Sequence, residues 1–236
     1  MGSQRIFLTA EWKNLLMLNY AVDPVLLRPH VPAGTELDQF DGKTYLSLIG
    51  FEFNKTRVLG TAIPFHQSFE EVNLRFYVRR SDRRGVVFIS ELVPRYAVMA
   101  VARFVYGERY SCVKMSHRIE KNNGSTAVEF SWGLGSERCL ISAETVGAGY
   151  LPEEGSLSQF ITEHYWGYAA QRTGGTMEYQ VEHPQWKVND VKQAQFGGDA
   201  KRYYGAEFAR VIERQPESAF IADGSAVTVF KGVPIE

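Results

Sequence analysis

The sequence predicts an α+β protein, mostly β, with antiparallel strands closed or nearly closed into a barrel around a polar pocket and helices at its flanks. Three observations carry this expectation. Residues 71–79 alternate strictly between apolar and polar types, Asp41-Gly42 separates two strand-like runs, and only two segments show helical periodicity.

The hairpin signal comes first in the chain. Residues 37–40 and 43–53 flank Asp41-Gly42, a dipeptide that tolerates the positive φ angles of a tight turn. In the alternating stretch Val72, Leu74, Phe76 and Val78 share one face. Glu71, Asn73, Arg75, Tyr77 and Arg79 share the other. Residues 80–85 read as a polar turn and 86–93 as the return strand, giving a second hairpin. The Ala- and Val-rich stretch 96–106 reads as a helix ended by Gly107. Residues 156–172 read as another, opened by Ser156 and Gln159 in a capping-box pattern and closed by Gly174-Gly175. Further strands are expected at 110–120, 126–134, 139–146, 177–183 and 226–231, with no assignment between 184 and 216. There is no linker-like stretch and no long-period repeat, so the expectation is one domain over residues 1–236.

Composition narrows the function classes. Hydrophobic residues make up 44% and charged residues 22%, enough apolar material for a sizeable core. With 26 basic and 27 acidic residues, no net field recruits nucleic acid or an anionic membrane surface. The basic run 79–84 lacks interleaved aromatics and reads as a solvated hairpin tip. The five histidines form no ligand spacing and the glycines no phosphate-binding pattern, so neither a metal nor a cofactor is implied. The two cysteines, Cys112 and Cys139, fit no disulfide framework. The apolar run 15–18 is too short for a signal peptide or a spanning helix, which makes a cytoplasmic location the expectation.

Three places are candidates for chemistry. The polar face carrying Glu71, Asn73 and Arg75 is either a solvated outer face or the lining of an interior pocket. Arg103 and Tyr106, three apart on the Ala-rich segment, share a helix face; a buried Arg103 would need a carboxylate partner or ligand. Residues 162–166, which include His164 and Tyr165, are bulky and consecutive, so some must point inward.

At these residues the chain resembles a known family. The run 7–20, the segment Val31-Pro32-Ala33-Gly34-Thr35-Glu36-Leu37-Asp38, Pro64-Phe65-His66 and the segment 69–75 are similar to the uncharacterised bacterial YqjF-like proteins. So are Ala102-Arg103 with Tyr106-Gly107 and Thr162-Glu163-His164-Tyr165. That family is regarded as a remote relative of acetoacetate decarboxylase. The resemblance implies a β-rich, cone-like barrel with a buried polar cavity, and it moves the Glu71 face toward the cavity. The decarboxylase forms a Schiff base through a lysine three residues after a glycine that resembles Gly107, and a pocket glutamate precedes a valine. Glu71-Val72 matches the glutamate; Tyr110 stands in the lysine's place, with Lys114 four residues further on.

The resulting expectation is a pocket for a small organic acid or carbonyl compound. Glu71, Tyr110 and Arg103 would be the catalytic candidates, and Asn73, Arg75, Tyr106, Lys114 and Tyr165 the ligand-binding ones. Schiff-base decarboxylation is not expected, because a phenol cannot condense with a ketone. A non-catalytic binding or sensing barrel is the alternative. A small molecule is the expected partner, with nucleic acid and membrane excluded and self-association left open.

Overall fold

The computed structural model describes residues 5–95, 110–122, 124–171 and 174–235. Among them, fifteen strands belong to one hydrogen-bonded sheet. Seven pair in a circuit that returns on itself: β1 (Ile6–Val22), β3 (Thr44–Val58), β5 (Phe69–Arg80), β6 (Arg83–Val93), β11 (Trp166–Ala170), β12 (Thr176–Glu182) and β14 (Ser218–Phe230), which pairs again with β1. All these pairings are antiparallel except β6 with β11. From β14 the sheet continues through β13 (Val188–Gly197), β10 (Cys139–Tyr150), β9 (Ser125–Trp132) and β8 (Met115–Asn122).

The two faces of the circuit bury different cores. On the outer face, Leu46 and Leu48 of β3 and Val72, Leu74 and Phe76 of β5 pack with Phe130 and Ile141 of β9 and β10. Helix α3 (Lys201–Ile212) adds Tyr204 and Phe208 to this cluster. Gly50 permits the approach, since a Cβ there would run into the Phe130 ring. The inner face collects Met17, Ile49, Phe51, Phe53 and Tyr77, joined by Phe160 and Ile161 of helix α2 (Leu157–Thr162).

Strand β5 is therefore buried on both faces. Val72, Leu74, Phe76 and Val78 are fully covered, and Glu71, Asn73 and Tyr77 are nearly so. Its alternation is as the sequence predicts, and Glu71, Asn73, Arg75 and Tyr77 of its polar face point inward, while Arg79 at the end of the strand is exposed.

Neighbouring strands reset their alternation with bulges. Asn14 (φ 54°) interrupts β1 so that Trp12 and Leu15 both reach the inner side. Lys55 (φ 52°) does the same in β3, turning Thr56 inward after Phe53. In β6 the register slips by one residue after Leu74 pairs with Ser90, and Glu91 comes to lie opposite Asn73.

Several expectations need correction. The helix beginning at Ser156 runs only over α2; Ser156 caps it by accepting from the Gln159 N–H, but Glu163 leaves helical geometry and 166–170 is strand β11. Its aromatic run suits a pleated strand better than a helix, and Gly174-Gly175 forms the turn into β12 instead of a helix stop. Asp41 and Gly42 do turn the chain with positive φ, and Phe40 and Lys43 bond each other. Strand β2 (Glu36–Leu37), however, pairs with β5 rather than β3, helped by the Arg79–Glu36 ion pair at 2.9 Å. The single strand expected at 110–120 is split into β7 (Tyr110–Cys112) and β8. The unassigned 184–216 segment holds β13 and α3. The helix expected at 96–106 lies outside the described residues.

The arginines of the β5–β6 tip are paired with carboxylates. Arg80 and Arg83 meet the buried Glu178 at 3.7 and 2.5 Å, and Arg84 meets Asp38 at 2.7 Å. No helix among the described residues is long and apolar enough to cross a membrane.

Candidate functional site

A pocket of about 130 Å³ opens on the inner face of the circuit. Strand register assembles its polar side. Ile49 of β3, Asn73 of β5, Glu91 of β6 and Tyr110 of β7 are successive partners across four strands, and all four line the pocket. One step along, Glu71 pairs with Phe51.

Glu71 is the best-defined polar group there. Its carboxylate accepts from Asn73 Nδ2 at 3.0 Å and from the Tyr110 hydroxyl at 3.4 Å. Burial disfavours the charged form and pushes its pKa up to about 7, against the two hydrogen bonds and the Arg75 guanidinium, which pull it down. Glu71 thus sits where it can hold or release a proton near neutral pH, the property a general acid or base requires. Asn73 keeps its Oδ1 buried without a partner.

Arg75 lines the same wall. One of its amino groups donates to the Ile161 carbonyl at the end of α2 at 3.2 Å, while its Nε is buried without a partner. The chain leaving α2 then delivers Thr162 and His164 to the pocket. His164 is buried against Tyr77 at 4.6 Å between ring centroids. Its Nε2 lies 3.7 Å from Asp38, longer than a hydrogen bond, and neither ring nitrogen has a partner. Burial drives its pKa down to about 4, outweighing the pull of Asp38, so the imidazole is neutral at physiological pH.

The remaining lining is chiefly apolar and aromatic. Trp12 presents edge contacts to Phe51, Phe53 and Trp186 at 5.4, 5.7 and 6.1 Å. Phe53 stacks on Phe69 at 4.7 Å, and His183 stacks on Trp186 at 4.0 Å.

The structure thus brings Glu71, Asn73, Arg75 and Tyr110 together, as the sequence predicts. It does not bring in Lys114, which is exposed between β7 and β8 and outside the lining. The even spacing from Tyr110 counts for nothing because the strand breaks at residues 113 and 114. Tyr165 is half-buried and also outside the lining; its hydroxyl bonds Glu163, and its ring touches His183, which does line the pocket. Arg103 and Tyr106 lie outside the described residues.

Sequence reasoning did not single out Glu91, Trp12, Thr56, His183 or Trp186. Bulges hide Glu91, Trp12 and Thr56 from any two-residue period. His164 is signalled as one of five consecutive bulky residues and as part of the Thr162-Glu163-His164-Tyr165 motif, with no role assigned to it.

The comparisons with known proteins agree with the resemblance drawn from the motifs. A family model described as DUF2071, uncharacterized conserved protein, matches residues 9–226. The uncharacterized protein YqjF of Bacillus subtilis (strain 168) is 27% identical over 184 residues, spanning 77% of this chain and 74% of the relative. Among solved structures, the enduracididine biosynthesis enzyme MppR complexed with pyruvate superposes with a TM-score of 0.71 at 12% identity, covering 100% of this chain and 92% of that one. Acetoacetate decarboxylase from Legionella pneumophila gives 0.68 at 11% identity, covering 100% and 90%. At these identities the likeness is one of fold: the chain is acetoacetate-decarboxylase-like in architecture.

Proposed function

We propose that this chain, which belongs to the DUF2071 family of uncharacterized conserved proteins, closes its strand circuit as a barrel around a site for a small carbonyl compound or organic acid. Glu71 would handle the proton, Tyr110 and Asn73 would hold its carboxyl group, and Arg75 would face an anionic end of the ligand. The observation that carries this reading is the buried Glu71 carboxyl group, raised to about 7 inside a pocket otherwise chiefly apolar. A carboxylic acid that keeps its proton near neutral pH can donate a hydrogen bond to a carbonyl oxygen.

The chemistry would not be that of a lysine imine. All nine lysines of the chain lie among the described residues, and all nine are exposed. The position matching the decarboxylase lysine is Tyr110, whose phenol cannot form an iminium.

A second reading, a barrel that binds or senses the ligand without transforming it, is favoured by the lining itself. Among the described residues it contains no lysine, cysteine or serine nucleophile. Incubation with acetoacetate and borohydride, followed by intact-mass measurement, tests the proposal. It predicts no stoichiometric reduced adduct. An adduct that disappears in Lys114→Ala would restore Schiff-base decarboxylation. Turnover of a bound carbonyl compound that Glu71→Gln abolishes would favour the enzyme over the binder.

A further inference from the structure

We infer that the pocket takes a para-hydroxyaryl ketone, a flat aromatic ring with a carbonyl group at one end and a hydroxyl at the other, in preference to a short aliphatic keto acid. This rests on the reading of the pocket as a small-molecule site and adds the shape and polarity of what fills it.

The lining changes character along the strands. Glu71 pairs with Phe51, and two residues on, Phe69 pairs with Phe53, which in turn pairs with Trp12 of β1. One step from the carboxyl group the wall is therefore aromatic on three adjacent strands. Phe53 and Phe69 are stacked, and Trp12 sets its edge against Phe51 and Phe53. Aromatic walls of this kind favour another flat ring over an aliphatic chain, because ring faces and edges carry opposite partial charge. A cavity of about 130 Å³ is of the order that admits a single aromatic ring.

The aromatic end of the lining carries two more polar atoms. Thr56 Oγ1 and Trp12 Nε1 are buried on lining residues with no hydrogen-bond partner. Buried indole and hydroxyl groups ordinarily find one. The backbone N–H of Thr56 bonds the carbonyl of Gln67, which lies before β5 begins, so Thr56 stands on the far side of the Phe53–Phe69 pair from Glu71. A carbonyl and a hydroxyl held para across a benzene ring place one hydrogen bond at each end, in the order of that lining. Protonated Glu71 would donate to the carbonyl oxygen, and Thr56 and Trp12 would meet the ring hydroxyl. No bond is made or broken in this step.

Titration calorimetry of the full chain with 4-hydroxyacetophenone, acetophenone and acetoacetate is the test, repeated on Thr56→Val, Trp12→Phe and Glu71→Gln. The expected result is that 4-hydroxyacetophenone binds at least tenfold more tightly than acetoacetate. Thr56→Val, which keeps the side chain's shape, should weaken it several-fold while leaving acetophenone within twofold, and Trp12→Phe, which removes the N–H together with part of the ring, should weaken 4-hydroxyacetophenone more than acetophenone. Circular dichroism confirms that both variants fold. Acetoacetate binding as tightly as the aryl ketones, or a hydroxyl effect untouched by both variants, overturns the inference. If acetoacetate alone binds and loses affinity in Glu71→Gln, this inference falls and the pocket reading stands. If none of the three binds, both fall.

Discussion

The Tyr110 hydroxyl reaches the Glu71 carboxylate at 3.4 Å across 39 residues of sequence. The contact exists because β7 runs parallel to β6 with Tyr110 beside Glu91, and Glu91 lies opposite Asn73 on β5. By the motif resemblance Tyr110 stands where the decarboxylase lysine would, and here its hydroxyl hydrogen-bonds the pocket glutamate. The proposed function, proton handling rather than imine formation, builds on this contact.

Removing either donor should raise the Glu71 midpoint further. Both hydrogen bonds favour the ionised form, and that of Asn73 outranks that of Tyr110. Asn73→Leu should therefore shift the titration upward more than Tyr110→Phe, as read by carboxyl-labelled NMR. A downward shift in either variant would mean that the donors are not aimed at the carboxylate.

Glu71 and His164 should pull the pH dependence of stability in opposite directions. Folded Glu71 keeps its proton up to about pH 7, against 4.5 for its ordinary value. The folded state therefore binds the extra proton between those values, and stability falls as pH rises through that window. His164 is protonated below 6.5 when unfolded but only below about 4 when folded, so stability falls as pH drops through its window. Each effect amounts to up to about 3 kcal/mol. Between pH 4.5 and 6.5 the two oppose each other. In melting curves, Glu71→Gln should steepen the loss of Tm on acidification, and His164→Gln should flatten or reverse it. Identical pH profiles for the two variants would contradict this assignment.

Gly167 marks where the circuit admits an aromatic ring. A Cβ there would collide with the Tyr179 ring, and one at Gly85, the partner of Trp166, would meet Tyr168 and the backbone carbonyl of Trp166. Gly167→Ala should destabilise by about 1–3 kcal/mol in urea unfolding. A change within about 0.5 kcal/mol would mean that the β11 junction is loose.

Lysine chemistry offers an independent check. Since all nine lysines are exposed, reductive methylation of the whole set should leave ligand affinity within twofold, measured by calorimetry. Loss of binding on methylation would place a lysine in the site.

The sequence showed β5 clearly because no bulge interrupts it. Two-residue alternation there separated Glu71, Asn73 and Arg75 from the apolar face, although alternation alone could not tell solvent from pocket. The resemblance to the decarboxylase moved the expectation toward the pocket. Alternation failed where Asn14, Lys55 and the β6 bulge shift the inward face by one residue, concealing Trp12, Thr56 and Glu91. The helix at 156–172 was overextended because an aromatic run satisfies helical and strand patterns equally until pairing decides. Trp166 and Gly167 find their partners in β6 and β12, elements no local signal connects to them.

The central claim is that Glu71 is a buried carboxyl group poised near neutral pH inside a ligand site. Following the Glu71 carboxyl carbon by NMR across pH 3–9 tests it most directly. A midpoint near 7 that moves on addition of a bound carbonyl compound is the predicted result. A midpoint near 4.5, unmoved by any such ligand, would place Glu71 in solvent and contradict the account.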